Sequence, residues 1–230
     1  MDRFSMLRTA GAGFGITLGL IGAYSKVFTP WQRNWGTTRE ERERAMPGDP
    51  ETPPSYFTTR AITVNAPPDA IYPWLVQMGK GRGGLYSWDF LDRLFGFLDA
   101  PSAKEILPKF QDLAPGDEIP LSRGANFPVA DLRKDRLLLL AGEPEPGIRW
   151  TWATVLYPQE DGTTRLVTRN TGEWGKGWQA QIMAGVGDLA AFIMIHRGLH
   201  VLKQRAEPIH HDRETATRTF ELVAEEILGA

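Results

Sequence analysis

Asp89, Glu173 and Tyr86 are the side chains with which this chain could move a proton, and arginines such as Arg82, Arg165 and Arg169 could stabilise an enolate formed by that transfer. Hydrolysis needs a nucleophile backed by a base and an orienting carboxylate. No G-x-S-x-G elbow is present, and Ser55, Ser87, Ser102 and Ser122 sit in no nucleophile motif. His196 and His200 stand four apart, so on a helix they share a face, which is one requirement of a zinc site. Two ligands are too few, and there is neither an H-E-x-x-H arrangement nor a cysteine to complete the set, so no metal is expected.

The stretch MGKGRGG at residues 78–84 contains the G-x-G-x-x-G spacing of dinucleotide-binding loops. That spacing holds phosphate only between a strand and the N-terminus of a helix. Here the preceding residues are Ala66-Pro67-Pro68-Asp69 and then Ile71, Trp74, Leu75 and Met78, which fit a helix's first turn and its buried stripe. The glycines therefore end a helix, whose carbonyls and partial negative charge repel phosphate. No nucleotide or other cofactor is expected.

A site for an apolar ligand needs aromatic and aliphatic walls with a few polar groups to fix orientation. Ile148, Trp150 and Trp152 alternate onto one face of a strand, with Arg149 and Thr151 on the other. These tryptophans serve either as packed core or as ligand wall. Arg165 and Arg169, four apart in a strand, project from one face about 13 Å apart. On a concave face they would anchor a ligand or pair with buried carboxylates; on a convex face they would be solvated. Arg82 and Tyr86 lie in and just after the glycine loop, where they either gate a cavity mouth or simply follow a helix cap. Trp74 and Ile193, on apolar helix stripes, complete the candidate ligand-binding set.

The elements that must position these residues follow from periodicity and breakers. Tyr56 to Val64 reads as a strand, followed by the helix that opens at Pro67 and another helical piece over Ser87 to Phe97. Strands are then expected at Glu118 to Leu121, Phe127 to Leu132, Arg136 to Ala141, Ile148 to Leu156 and Thr164 to Asn170, with a hairpin turn at Glu160-Asp161-Gly162. One long helix covers Trp178 to Glu207, with Ile182, Val186, Leu189 and Ile193 along one face. Asp188 in its apolar stretch is costly in lipid, so the helix should lie on a sheet rather than span a membrane. Beyond Pro208, Ala216, Phe220, Val223 and Ile227 form a short amphipathic tail helix over 208–230.

At the other end, Thr9 to Ser25 is a run of 17 uncharged residues, about 25 Å as a helix against a hydrocarbon core of about 30 Å. Gly11, Gly15 and Gly19 repeat every fourth residue, a face on which membrane helices pair, and point to a homodimer. Tyr24, Phe28, Trp31 and Trp35 suit an interfacial belt. Residues 1–35 thus read as a membrane anchor, with a cleaved signal peptide of a secreted protein and a soluble helix as alternatives. More Arg and Lys follow the run than precede it, which places the domain on the cytoplasmic side. Residues 36–55, with mixed charges from Arg39 to Arg44 and prolines beyond, read as a solvated linker or short exposed helix. A net charge of −2 leaves no electrostatic footprint for nucleic acid.

Strand, short helices, antiparallel strands and a long final helix form the order of an α+β helix-grip fold. The stretch APPDAIYPWLVQMGKGRGGLY, with Gln111 to Asp117, Thr164 to Arg169 and Leu202 to Glu207, resembles bacterial members of the SRPBCC superfamily, which includes START domains, the birch pollen allergen and polyketide cyclases. The similarity covers residues 47–207. It implies a curved antiparallel sheet gripping the long helix over residues 56–207, with an apolar cavity between them. The reading adopted is a membrane-tethered domain that binds a lipid or other hydrophobic small molecule. A polyketide cyclase-like enzyme using acid–base residues of the same cavity, and a membrane-associated interaction protein, are the alternatives.

Overall fold

The computed structural model describes residues 24–228, apart from 123, 146–147 and 174–176. The anchor run therefore lies outside the described residues except for Tyr24 and Ser25, as do Gly11, Gly15 and Gly19. Among the described residues no helix is long and apolar enough to cross a membrane.

Six antiparallel strands form one sheet in the order β1-β6-β5-β4-β3-β2. They are β1 (Tyr56–Val64), β2 (Glu118–Ser122), β3 (Ala125–Arg133), β4 (Leu137–Glu145), β5 (Ile148–Pro158) and β6 (Thr164–Gly172). The expected strands are all present, several of them longer by a few residues. Successive strands β2 to β6 form a meander, whereas β1 joins the far edge beside β6. The β5–β6 turn has Gly162 at φ 80°, the left-handed conformation that the Asp161-Gly162 pair supplies without strain. The short α4 (Asp89–Leu94) is the helical piece expected over Ser87 to Phe97, and the long helix α5 (Trp178–Leu228) lies on one face of the sheet, giving the α+β helix-grip architecture. Its backbone runs through Pro208, so the tail helix expected beyond that proline is continuous with it. A proline removes one N–H bond, which a helix this long survives.

Side-chain alternation splits the sheet into two apolar layers. Towards α5, Ile62 and Val64 of β1, Leu138 and Leu140 of β4, Leu156 of β5 and Leu166 of β6 pack with α3 (Pro68–Val76) and with Leu199, Leu202 and Ala206 of α5. On the opposite face, Ala61, Leu137, Leu139, Ala153, Val155 and Val167 form a smaller cluster closed by Met46.

Met46 belongs to the segment expected to be a solvated linker. The chain instead wraps the edge of β1. Helix α1 (Thr29–Arg33) sits on the α5 side, where Trp31 and Phe28 meet Phe192 edge-on. Trp35 then accepts a backbone bond from Ala61 N at 3.1 Å, and Gly36, at φ 72°, crosses so close that a Cβ would lie 2.1 Å from Ala61 O. Helix α2 (Arg39–Glu43) is held on the outer face; Thr38 and Glu41 form a reciprocal capping box at its start. The two strand arginines fix this segment. Arg165 pairs with Glu41 at 2.6 Å, and Arg169 pairs with Asp49 at 2.6 Å while donating to the carbonyls of Glu41, Arg42 and Arg44. Burial would raise the Glu41 pKa, but hydrogen bonds from Arg165 and Thr38 outweigh it and hold the carboxyl below its ordinary value. Wrapping also covers an edge strand that would otherwise present free backbone groups.

Candidate functional site

Between the sheet and α5 lies a cavity of about 350 Å³. Its sheet wall is Trp150, Trp152 and Thr154 of β5 with Leu166, Thr168 and Asn170 of β6, all on the face turned towards the helix. Helix α5 contributes Ala191, Met194, Ile195, Gly198 and Leu199. The far side is closed by Leu75 of α3, Met78, Leu85, Tyr86 and Phe97. The wall is therefore mostly aliphatic and aromatic, the composition of a site for a small apolar molecule.

The polar groups in that wall are largely committed to one another. Trp152 Nε1 donates to Thr168 Oγ1 at 2.7 Å, and Thr154 and Thr168 hydroxyls lie 3.4 Å apart. The Ser87 hydroxyl donates to the Asp92 carboxylate, 2.7 and 2.6 Å from its two oxygens. Asp92 is fully buried, and burial raises its pKa against the opposing Ser87 bond. It thus reaches the cavity only through Ser87. The Tyr86 hydroxyl donates to the Trp74 carbonyl at 3.0 Å, and burial pushes its pKa up to about 12, so it stays neutral at physiological pH. Asn170 is different: it is 4% exposed, and its amide nitrogen has no partner.

Of the residues expected from the sequence, Tyr86, Trp150 and Trp152 meet at this cavity. The Trp150 ring stacks on Tyr56 at 5.0 Å and covers Gly172, where a Cβ would come within 2.1 Å of the indole. Trp74 is buried one layer further out, edge-on to Tyr86 and beneath the Arg205 guanidinium. Ile193 is 40% exposed and Val186 60%, because the buried stripe of α5 runs instead through Asp188, Phe192, Leu199 and Leu202. Hydropathy alone favoured the wrong phase, since it discounts a stripe containing Asp188 and Gly198. Arg165 and Arg169 face away from the cavity, on the wrapped outer surface.

Arg82 caps the glycine-terminated helix. Its Nε donates to the Met78 carbonyl at 3.1 Å and its NH2 to the Val76 carbonyl at 2.9 Å, while the guanidinium lies 4.6 Å over Phe110. A cation at the negative end of a helix is favourable. Gly79, Gly81 and Gly84 all have positive φ, as a chain leaving a helix through a tight turn requires. Of the expected acid–base residues Tyr86 lines the cavity, whereas the two carboxylates do not: Asp89 accepts from Ser102 N and Oγ, and Glu173 from Ser55 N. His196 meets Trp35 edge-on and His200 lies tilted to it, with ring centroids 4.3 and 5.6 Å away. Burial and the neighbouring His200 lower the His196 pKa.

A buried ion cluster escaped the sequence reading. Asp188 of α5, 1% exposed, accepts from Arg33 of α1 at 2.6 Å and lies 3.5 Å from Arg60 of β1, which is itself fully buried and donates to the Gln32 carbonyl at 2.9 Å. The signal was present in Asp188, whose charge demanded a partner; nothing in the strand pattern singled out Arg60 over Arg165 or Arg169.

Compared with known proteins, the chain matches no family model and no curated protein. Solved structures similar to it include the Mesorhizobium loti protein MLL2253, at 15% identity over 65% of this chain and 95% of that one, with a TM-score of 0.37. CalU16 from Micromonospora echinospora is 16% identical over 66% of this chain and 84% of its own, with a TM-score of 0.34. CalC from the same organism, described as a self-sacrificing resistance protein, is 11% identical over 68% of this chain and 95% of its own, with a TM-score of 0.37.

Proposed function

We propose that the protein binds a hydrophobic small molecule in the cavity between the sheet and α5. The observation that carries this reading is the wall itself: a partly open pocket of about 350 Å³ lined largely by tryptophan, leucine, methionine and phenylalanine side chains. A concave pocket of this size with a mostly apolar lining suits an apolar guest. Burying such a guest would contribute about 25 cal/mol per Å² of apolar surface removed from water, before the cost of immobilising it. The uncharged run from Thr9 to Ser25 would hold the domain at a bilayer, from which a carrier takes a lipid-soluble ligand directly.

Native mass spectrometry of the full chain, followed by extraction and identification of bound molecules, tests this reading. A stoichiometric apolar adduct, lost on Trp152→Ala or Trp150→Ala, is expected. A protein without adduct that also fails to take up the neutral dye N-phenylnaphthylamine would overturn it.

A further inference from the structure

Resting on that reading, we propose that the outer surface bordering the cavity docks on an anionic phospholipid bilayer, so that the cavity faces the lipid from which its guest is drawn. The large apolar side chains left exposed among the described residues all fall in three stretches, 24–31, 88–95 and 186–193. The most prominent are on α4 and the residue after it, where Phe90, Leu94 and Phe95 are 71%, 66% and 63% exposed. The three stretches are neighbours. The Arg197 guanidinium of α5 lies 4.9 Å over the Trp88 ring, and Phe192 of α5 carries Phe28 and Trp31. Val186 and Ile193, seven apart on the outer stripe of α5, lie between these contacts. Phe97, Ala191 and Met194 line the cavity and are only half-buried, so the cavity wall reaches the surface among these stretches.

Soluble monomers rarely leave contiguous apolar surface of this kind uncovered. Two observations point to a bilayer as the cover. The uncharged run that begins at Thr9 ends with Tyr24 and Ser25 on this surface, so a bilayer that holds the run meets the domain here. The charges agree. In the three stretches the fully exposed charged residues are Lys26 and Arg93, both cations. The acids of the same stretches are turned inwards: Asp89 accepts from Ser102, Asp92 from Ser87, and Asp188 is held by Arg33 and Arg60. Apolar side chains beside unopposed cations suit the headgroup region of an anionic leaflet.

The chain contains no cysteine, so Leu94→Cys gives a single labelling site. The full chain, labelled there with nitrobenzoxadiazole, is reconstituted into vesicles of phosphatidylcholine and phosphatidylglycerol, with Glu160→Cys as the reference position. Glu160 is in the β5–β6 turn, which shares a groove with His210, about 25 Å along α5 from Ile193. Emission from position 94 is expected to move to shorter wavelength and to be quenched by nitroxide-labelled acyl chains, while position 160 keeps the emission of a water-exposed probe. Phe90→Ser together with Phe95→Ser should remove both effects, and vesicles of phosphatidylcholine alone should reduce them. Emission at 94 matching that at 160 would overturn the docking and, with dye uptake intact, leave the cavity reading standing. A shift at 94 without nitroxide quenching would also overturn it, by making a second protein copy the cover. Quenching at 94 in a protein that takes up no dye would keep the docking surface and remove the guest.

Discussion

Gly172 and Trp150 show how single residues shape the cavity end. A strand glycine weakens a sheet unless another group needs the space, and here the Trp150 indole lies across that glycine to stack on Tyr56 with the ring planes 21° apart. Gly172→Ala is therefore expected to displace the indole into the cavity. It should destabilise the fold by about 1–3 kcal/mol, the usual cost of overpacking, and weaken dye uptake, as urea unfolding and fluorescence titration would read. Sequence reasoning put Trp150 and Trp152 on one face correctly, because alternation in a strand is strict. It left open which face, since that depends on where the long helix lies. Arg165 and Arg169 illustrate the same limit: their shared face was legible, but their partners Glu41 and Asp49 lie more than a hundred residues away.

Among the elements, α5 carries the largest unread feature. Strands and turns were legible because β-branched runs and Asp-Gly punctuation are local signals, and the α3 terminus was legible because glycine permits positive φ. The facing of α5 was not, since its buried stripe contains a carboxylate held by α1 and β1. Asp188 joins three elements that are remote in sequence, and it leaves Arg60 with a buried charge once removed. Asp188→Ala is thus expected to cost about 3–5 kcal/mol, the range for breaking a buried pair from one side. Arg33→Ala should cost less, because Arg33 is partly solvated and Arg60 keeps its partner. Thermal or urea unfolding of both variants measures the difference, and equal losses would show that Arg60 and Asp188 do not depend on each other.

For the whole molecule, the wrapped N-terminal segment revises where the folding unit begins. A chain starting at residue 56 lacks Met46 over the outer apolar cluster and leaves Arg169, 2% exposed at its side chain, without Asp49 and the three carbonyls of the segment. It is expected to aggregate or stay unfolded by circular dichroism, whereas a chain starting at residue 24 keeps every contact described above. The short exposed helix expected in this segment is present at Arg39–Glu43, but the segment is no free linker, because two of its carboxylates, Glu41 and Asp49, are taken by arginines presented from a sheet made much later in the chain. That separation also sets an order of events. Arg33 meets Asp188 across 155 residues, and Trp35 meets His196 and His200. During synthesis α1 must wait for α5 to leave the ribosome before Arg33 can meet Asp188. Closing so long a loop is slow relative to the local hairpins, so the meander of β2 to β6 can assemble, and its arginines can take Glu41 and Asp49, before Arg33 and the Trp35 ring find their partners on α5.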